Sequence, residues 1–320
     1  MSGLLGKKIM SKKLTVACVL WSPLYWKPQF FCEKRIINYY YSLFKKRQFS
    51  PYWVAKLKDM VSKNTTHDFD FVCLSNFPKS KFRDDIIVNP LKQNWPGWWS
   101  KVELFNKKLP FNERILYLDL DHIIIDNIDP IIEFPADIAL FNYNEAFKMP
   151  IKIGIKKEQS PAELRILHCP PNGINGMKPE IKAYFIQKKA THIKQCISVP
   201  GYNSTCIIMN KNSHPEIYDT FDPTKDINIY CGDQDWITKC LGNNMPTFPK
   251  EWGRCLCNND KTGELSSEQK EAKLIWCFPI KNHLLAQRGY QWAFDVWNGK
   301  SIPHVTKINT YPDPTGVPYV

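Results

Sequence analysis

The sequence predicts an α/β domain: a mixed, mostly parallel sheet flanked by helices, interrupted by a basic insertion. Three observations carry that expectation. Short β-branched apolar runs alternate with stretches of helical period, as repeated strand and helix units require. Asn, Pro and Gly close the runs. One run, ILYLDLDHIII at 115–125, carries two acids, Asp119 and Asp121, where a buried parallel strand should be apolar throughout.

LTVACVLW (14–21) reads as the first strand, broken at Ser22-Pro23, and an aromatic stretch from about Phe30 to Arg47 as a helix. FDFVCLS (69–75) is a second strand ended by Asn76 and Pro78, and IIV (86–88) a third stopped by Asn89-Pro90. In WWSKVELFNKKL (98–109) the apolar residues Trp98, Val102, Phe105 and Leu109 recur at helical spacing, with Pro110 as the stop. ILYL then runs into the acids. DIALF (137–141), YNSTCIIMN (202–210) and LIWCF (274–278) read as further strands, and QDWITKCL (234–241) as a helix ending at Gly242. Residues 148–200 hold prolines, turn residues and many lysines, which marks an insertion between core strands. The expected organisation is one domain over 1–300 containing that insertion, then a Pro-rich tail, 301–320.

At 320 residues and 43% hydrophobic content, the chain can bury a sizeable core. No apolar run approaches the length that spans a bilayer, and the basic N-terminus lacks the apolar core of a signal peptide, so the expected location is cytoplasmic. Eleven scattered cysteines suit buried free thiols better than a disulfide framework, and without a CxxC pair they do not suit zinc. The net charge of +12 is concentrated: residues 1–47 carry ten Lys/Arg against one Glu, and residues 148–194 ten against three. These segments are either solvated surface or a site of attraction for phosphates or an anionic membrane, which makes peripheral membrane contact an expectation. No nucleic-acid-binding pattern accompanies the charge, and no nucleic-acid partner is expected.

Charges belong at the C-terminal edge of a parallel strand, where open α/β sheets bind ligands. Residues i and i+2 of an extended segment face one side, so Asp119 and Asp121 converge if the backbone stays extended; a turn there requires another geometry. Two neighbouring carboxylates repel and favour a cation, and hard oxygen donors suit Mn2+ or Mg2+ bridging to phosphate. The plainer reading is a pair of strand-end acids that cap the following turn.

Five blocks in order bear on the choice: TVACVLW (15–21), WWSKVELF (98–105), YLDLDHII (117–124), YNSTCIIMN (202–210) and YCGDQDWI (230–237). Together they resemble the metal-dependent nucleotide-sugar glycosyltransferases of the GT-A fold, in particular the group that includes glycogenin and bacterial galactosyltransferases. The resemblance implies that Asp119 and Asp121 bind the metal and contact the donor's ribose and diphosphate. By the same likeness Lys101 contacts the donor, Asn203 and Ser204 line its sugar, Asp233 holds sugar hydroxyls, and Gln234 sits under the anomeric carbon. Asp235 follows, as a catalytic acid or as a charge at a helix N-terminus. The sequence departs from the family near its end, where Pro279 stands in the expected metal-binding His position; His283 is then either the third ligand or a core histidine. Lys281 remains for the diphosphate.

The activity so implied is transfer of a hexose from a nucleoside-diphosphate sugar, with UDP-sugar expected by resemblance, to a hydroxyl of a glycan, lipid-linked or protein acceptor. Two other readings use the same sequence. A haloacid-dehalogenase-type phosphatase would employ the DxD as nucleophile and general acid, and a basic nucleic-acid or membrane-binding module would need neither aspartate.

Overall fold

The computed structural model describes residues 13–27, 37, 38, 40, 41, 44, 49–142, 202–230, 232–242, 244–255, 272–276 and 290–300. The expected insertion and tail, and with them Lys281 and His283, lie outside the described residues. In chain order the strands and α-helices are β1 (Leu14–Leu20), α1 (Pro51–Lys63), β2 (Phe69–Ser75), β3 (Ile87–Pro90), β4 (Arg114–Leu118), β5 (His122–Ile124), α2 (Asp129–Ile132), β6 (Ile138–Asn142) and β7 (Tyr202–Asn210). There follow α3 (Glu216–Asp219), α4 (Pro223–Ile229), α5 (Asp233–Leu241), β8 (Gly253–Cys255), β9 (Leu274–Trp276) and α6 (Gln291–Trp297).

Six strands form the main sheet in the order β3-β2-β1-β4-β7-β6. The first four pair in parallel. β7 runs antiparallel to both β4 and β6, so it alone is reversed in a mixed, mostly parallel sheet. A smaller sheet, β5-β9-β8, lies beside it. The α/β architecture expected from the sequence is therefore present, and Cys18, Cys73 and Cys206 are buried free thiols within it.

Side chains alternate across the sheet. Val16, Cys18, Leu20, Leu116 and Leu118 join one core with α1, β9 and α6, while Ala17, Ile115 and Tyr117 join the other with the 97–105 segment, α3 and α5. Burial on both faces is why the strands read as nearly continuous apolar runs. Among the described residues no helix is long and apolar enough to cross a membrane.

Three local expectations change. The helix expected over 98–109 is a 3-10 segment, Gly97–Phe105, which closes at Asn106 before reaching Pro110. All of its residues except Trp98 are buried, so it has no solvent face, and Glu103 is drawn inward to accept the N–H groups of Lys92 (2.7 Å), Gln93 (3.0 Å) and Asn94 (2.9 Å). The third strand includes Asn89 and Pro90 rather than stopping before them, because β3 is a sheet edge where a missing N–H is tolerated. Helix α1 was not anticipated: Pro51 opens it, and Trp53, Val54, Leu57, Met60 and Val61 form its buried stripe.

Candidate active site

β4 delivers its last residues to the C-terminal edge of the parallel strands, as expected, but the acids that follow do not continue the strand. Asp119 to His122 form a turn in which the His122 N–H donates to the Asp119 carbonyl (3.3 Å). The extended i, i+2 geometry is thereby corrected: Leu120, between the acids, is buried in the core, while both aspartates line one cleft. A second bond secures the turn, because Nδ1–H of the buried His122 donates to the same carbonyl at 3.0 Å. The Asp119 N–H is tied to the Thr205 carbonyl of β7 at 2.8 Å. The cleft is open to solvent and holds about 100 Å3, with the end of β1 (Val19 and Leu20), Trp21, Trp98, Lys101 and Tyr117 among its walls.

Lys101 is the hub of the site. Its Nζ lies 3.2 Å from Asp119 Oδ1 and 3.0 Å from Asp233 Oδ2, and donates to Ser204 Oγ at 3.2 Å. Ser204 Oγ in turn donates to Asp233 Oδ2 at 2.7 Å. The Tyr117 hydroxyl donates to Asp119 Oδ1, and the Tyr117 ring centroid stands 5.6 Å from the Lys101 ammonium. The 3-10 segment, β4, β7 and the first turn of α5 each contribute to this network.

Burial works against the charge on Lys101, but the carboxylates of Asp119 and Asp233 outweigh it and hold the ammonium above its ordinary pKa. Burial raises the Asp119 carboxyl against the pull of Lys101, and the nearby charge of Asp121 adds to the rise. The Asp119 side chain retains 24% of its surface, against 6% for Asp233 and 9% for Lys101, so of these three Asp119 is the one a ligand can reach most directly.

The structure thus brings together Lys101, Asp119, Ser204 and Asp233, and places Asp121 in the same cleft. Gln234 and Asp235 follow Asp233 in the first turn of α5, both half-buried. Asn203 is buried, and its Oδ1 accepts the N–H of Thr205 at 2.8 Å on its own strand. Among the described residues no group of three or more His, Cys, Asp or Glu side chains is placed to hold a metal ion. Tyr117 and His122 are contributors that sequence reasoning passed over. Their signal was adjacency, since Tyr117 sits two residues before Asp119 and His122 three after it.

No family model and no curated protein sequence matches the chain. Solved structures similar to it include the galactosyltransferase LgtC in complex with donor and acceptor sugar analogs, at 10% identity and a TM-score of 0.48, covering 91% of this chain and 98% of that one. The apo form of the glycosyltransferase GlyE of Streptococcus pneumoniae is similar at 9% identity and a TM-score of 0.45, over 90% of this chain and 62% of that one. Mouse xyloside xylosyltransferase 1, apo form, follows at 14% identity and a TM-score of 0.39, covering 82% of this chain and 97% of that one. At such identities a shared chain path is no guide to donor, metal or acceptor.

Proposed function

We propose that this chain is a glycosyltransferase that moves a hexose from a nucleoside-diphosphate sugar, with UDP-sugar as the expected donor, to an acceptor hydroxyl, using Mn2+ or Mg2+. The observation that carries the reading is the buried network itself: the first acid of a strand-end pair is joined through one ammonium to a second acid at the start of α5, and the pair and the ammonium line a cleft at the carboxyl ends of parallel strands. Asp119, Asp121 and Asp233 bring three carboxylates and Lys101 one ammonium, which leaves an excess of negative charge that favours a cation.

The donor chemistry fits a hard divalent ion. Asp119 Oδ1 already accepts from Tyr117 and faces Lys101 at 3.2 Å, whereas among the described residues Oδ2 has only the ammonium at 3.4 Å and keeps lone-pair capacity. Asp121 makes no hydrogen bond or ion pair among the described residues. Two carboxylates, with waters and phosphate oxygens completing the shell, are an ordinary set for Mg2+ or Mn2+. His283, four residues beyond Pro279 in the position where the family places its metal-binding His, is a candidate third ligand, and Lys281 a candidate partner for the diphosphate.

A bound ion would stabilise negative charge on the departing diphosphate without a proton donor. The chain's own residues supply orientation. Lys101 and Ser204 hold Asp233 Oδ2, which leaves Oδ1 for sugar hydroxyls, and α5 presents Gln234 in its first turn beside it. The phosphatase reading asks Asp119 to act as a nucleophile, and a carboxylate that receives a phenol hydroxyl and an ammonium is a weakened one. The acceptor is a glycan, lipid-linked or protein hydroxyl, and the lysine-rich sequence of 148–200 is a candidate to attract an anionic one.

The test is a thermal-shift screen of UDP-, GDP-, CMP- and dTDP-sugars with and without manganese. A UDP-sugar at a hundred times its Kd should stabilise the wild type by about 2.7 kcal/mol, in the presence of manganese and not without it. The double variant Asp119→Ala, Asp121→Ala should lose the shift. A shift that survives in the double variant with the same manganese dependence overturns the reading.

A further inference from the structure

Tyr117 is buried in the sheet, with 1% of its surface exposed, yet it has one polar atom and that atom meets the site. Its place follows from register: on β4 the side chains alternate, and Tyr117 falls on the face that also receives the 97–105 segment and α5. Its hydroxyl therefore reaches Asp119 Oδ1, while its ring lies beside the Lys101 ammonium. The two oxygens of Asp119 are left unequal. Among the described residues Oδ1 has the phenol and the nearer approach of Lys101, 3.2 Å, while Oδ2 has only the ammonium at 3.4 Å.

A carboxylate turns easily about its last torsion, and an ammonium alone does not distinguish its two oxygens. A phenol fixed in a packed core does, because it can donate to only one of them. We propose that Tyr117 is a positioning residue that takes up Asp119 Oδ1 and so assigns Oδ2 as the oxygen presented to a divalent cation. The ring beside Lys101 performs a second, separable service by limiting where the ammonium can settle. The inference rests on the reading that Asp119 holds a cation, and adds to it a residue in contact with neither cation nor donor.

Tyr117→Phe removes the hydroxyl and keeps the ring, so it separates the two services. Manganese binding in the presence of UDP, followed by electron paramagnetic resonance, provides a readout that does not depend on turnover. Loss of a hydrogen-bond partner of a metal ligand typically weakens metal binding roughly 10- to 100-fold, and that is the expected result for Tyr117→Phe, with the unfolding temperature measured in parallel to establish that the variant is folded. Wild-type affinity in a folded Tyr117→Phe, alongside a clear loss in Asp119→Ala, overturns the positioning role and leaves the cation reading standing. Equal affinity in the wild type and Asp119→Ala overturns both. If Tyr117→Phe does not fold, 3-fluorotyrosine at position 117 in the otherwise unchanged protein gives the answer: its 19F resonance should move when Mg2+ and UDP are added. A resonance that stays fixed while Mg2+ binds overturns the proposal.

Discussion

A buried ammonium shared between two carboxylates holds only while every partner is present. Lys101→Met would leave Asp119 and Asp233 facing each other across an apolar side chain, and breaking a buried pair by removing one partner typically costs about 3–5 kcal/mol. A thermal or denaturant melt should register that loss, together with loss of activity on a nucleotide-sugar. The sequence pointed to Lys101, Asp119, Ser204 and Asp233 only through the resemblance of separate blocks, and nothing in it indicated that the nitrogen of the first touches the other three. That fact depends on β4, β7 and α5 meeting at one edge, which is a matter of tertiary placement rather than spacing. Asp119 and Asp121 were legible as a pair, but not as a turn. What decides it is the His122 N–H, which donates to the Asp119 carbonyl and closes the chain into a turn between β4 and β5.

Elements longer than five residues were the more readable ones. β2 and β7 occupy the runs expected of them, because continuous apolar stretches bounded by turn residues have few other uses. Helix α1 carries an equally regular stripe, at 53, 54, 57, 60 and 61, yet was not anticipated. Of the small sheet, β9 was read within the strand LIWCF (274–278), while β5 and β8 were not anticipated. β5, β8 and β9 have three residues each, and their partners are distant in the chain. Its packing is testable at Gly253, where a methyl group would sit 2.7 Å from ring atoms of both Phe141 and Trp276. Both rings are buried, so neither has space to withdraw. Gly253→Ala should destabilise the protein by about 1–3 kcal/mol, as overpacked cores do, and urea titration of the variant would measure it.

At the scale of the molecule, one buried acid links stability to pH. Glu103 is raised to about 7 by burial, against the three backbone N–H groups that favour its charged form. Between its ordinary value of 4.5 and about 7 the folded protein holds a proton that the unfolded chain releases, so stability falls as pH rises through that window. The full loss is on the order of 3 kcal/mol. Unfolding free energies measured from pH 4 to 8 should decline for the wild type relative to Glu103→Gln, which has no proton to lose.

The reversed strand has a consequence of another kind. Asn142, the last residue of β6, and Tyr202, the first of β7, face each other across the ladder. The sequence between them, 143–201, therefore begins and ends at a single rung of the ladder. Loop-closure entropy grows only logarithmically, by about 0.6 kcal/mol for each doubling of length, so the framework is nearly indifferent to how much polypeptide is strung from that point. Length can therefore vary at that rung while the ladder and the network around Lys101 stay as they are.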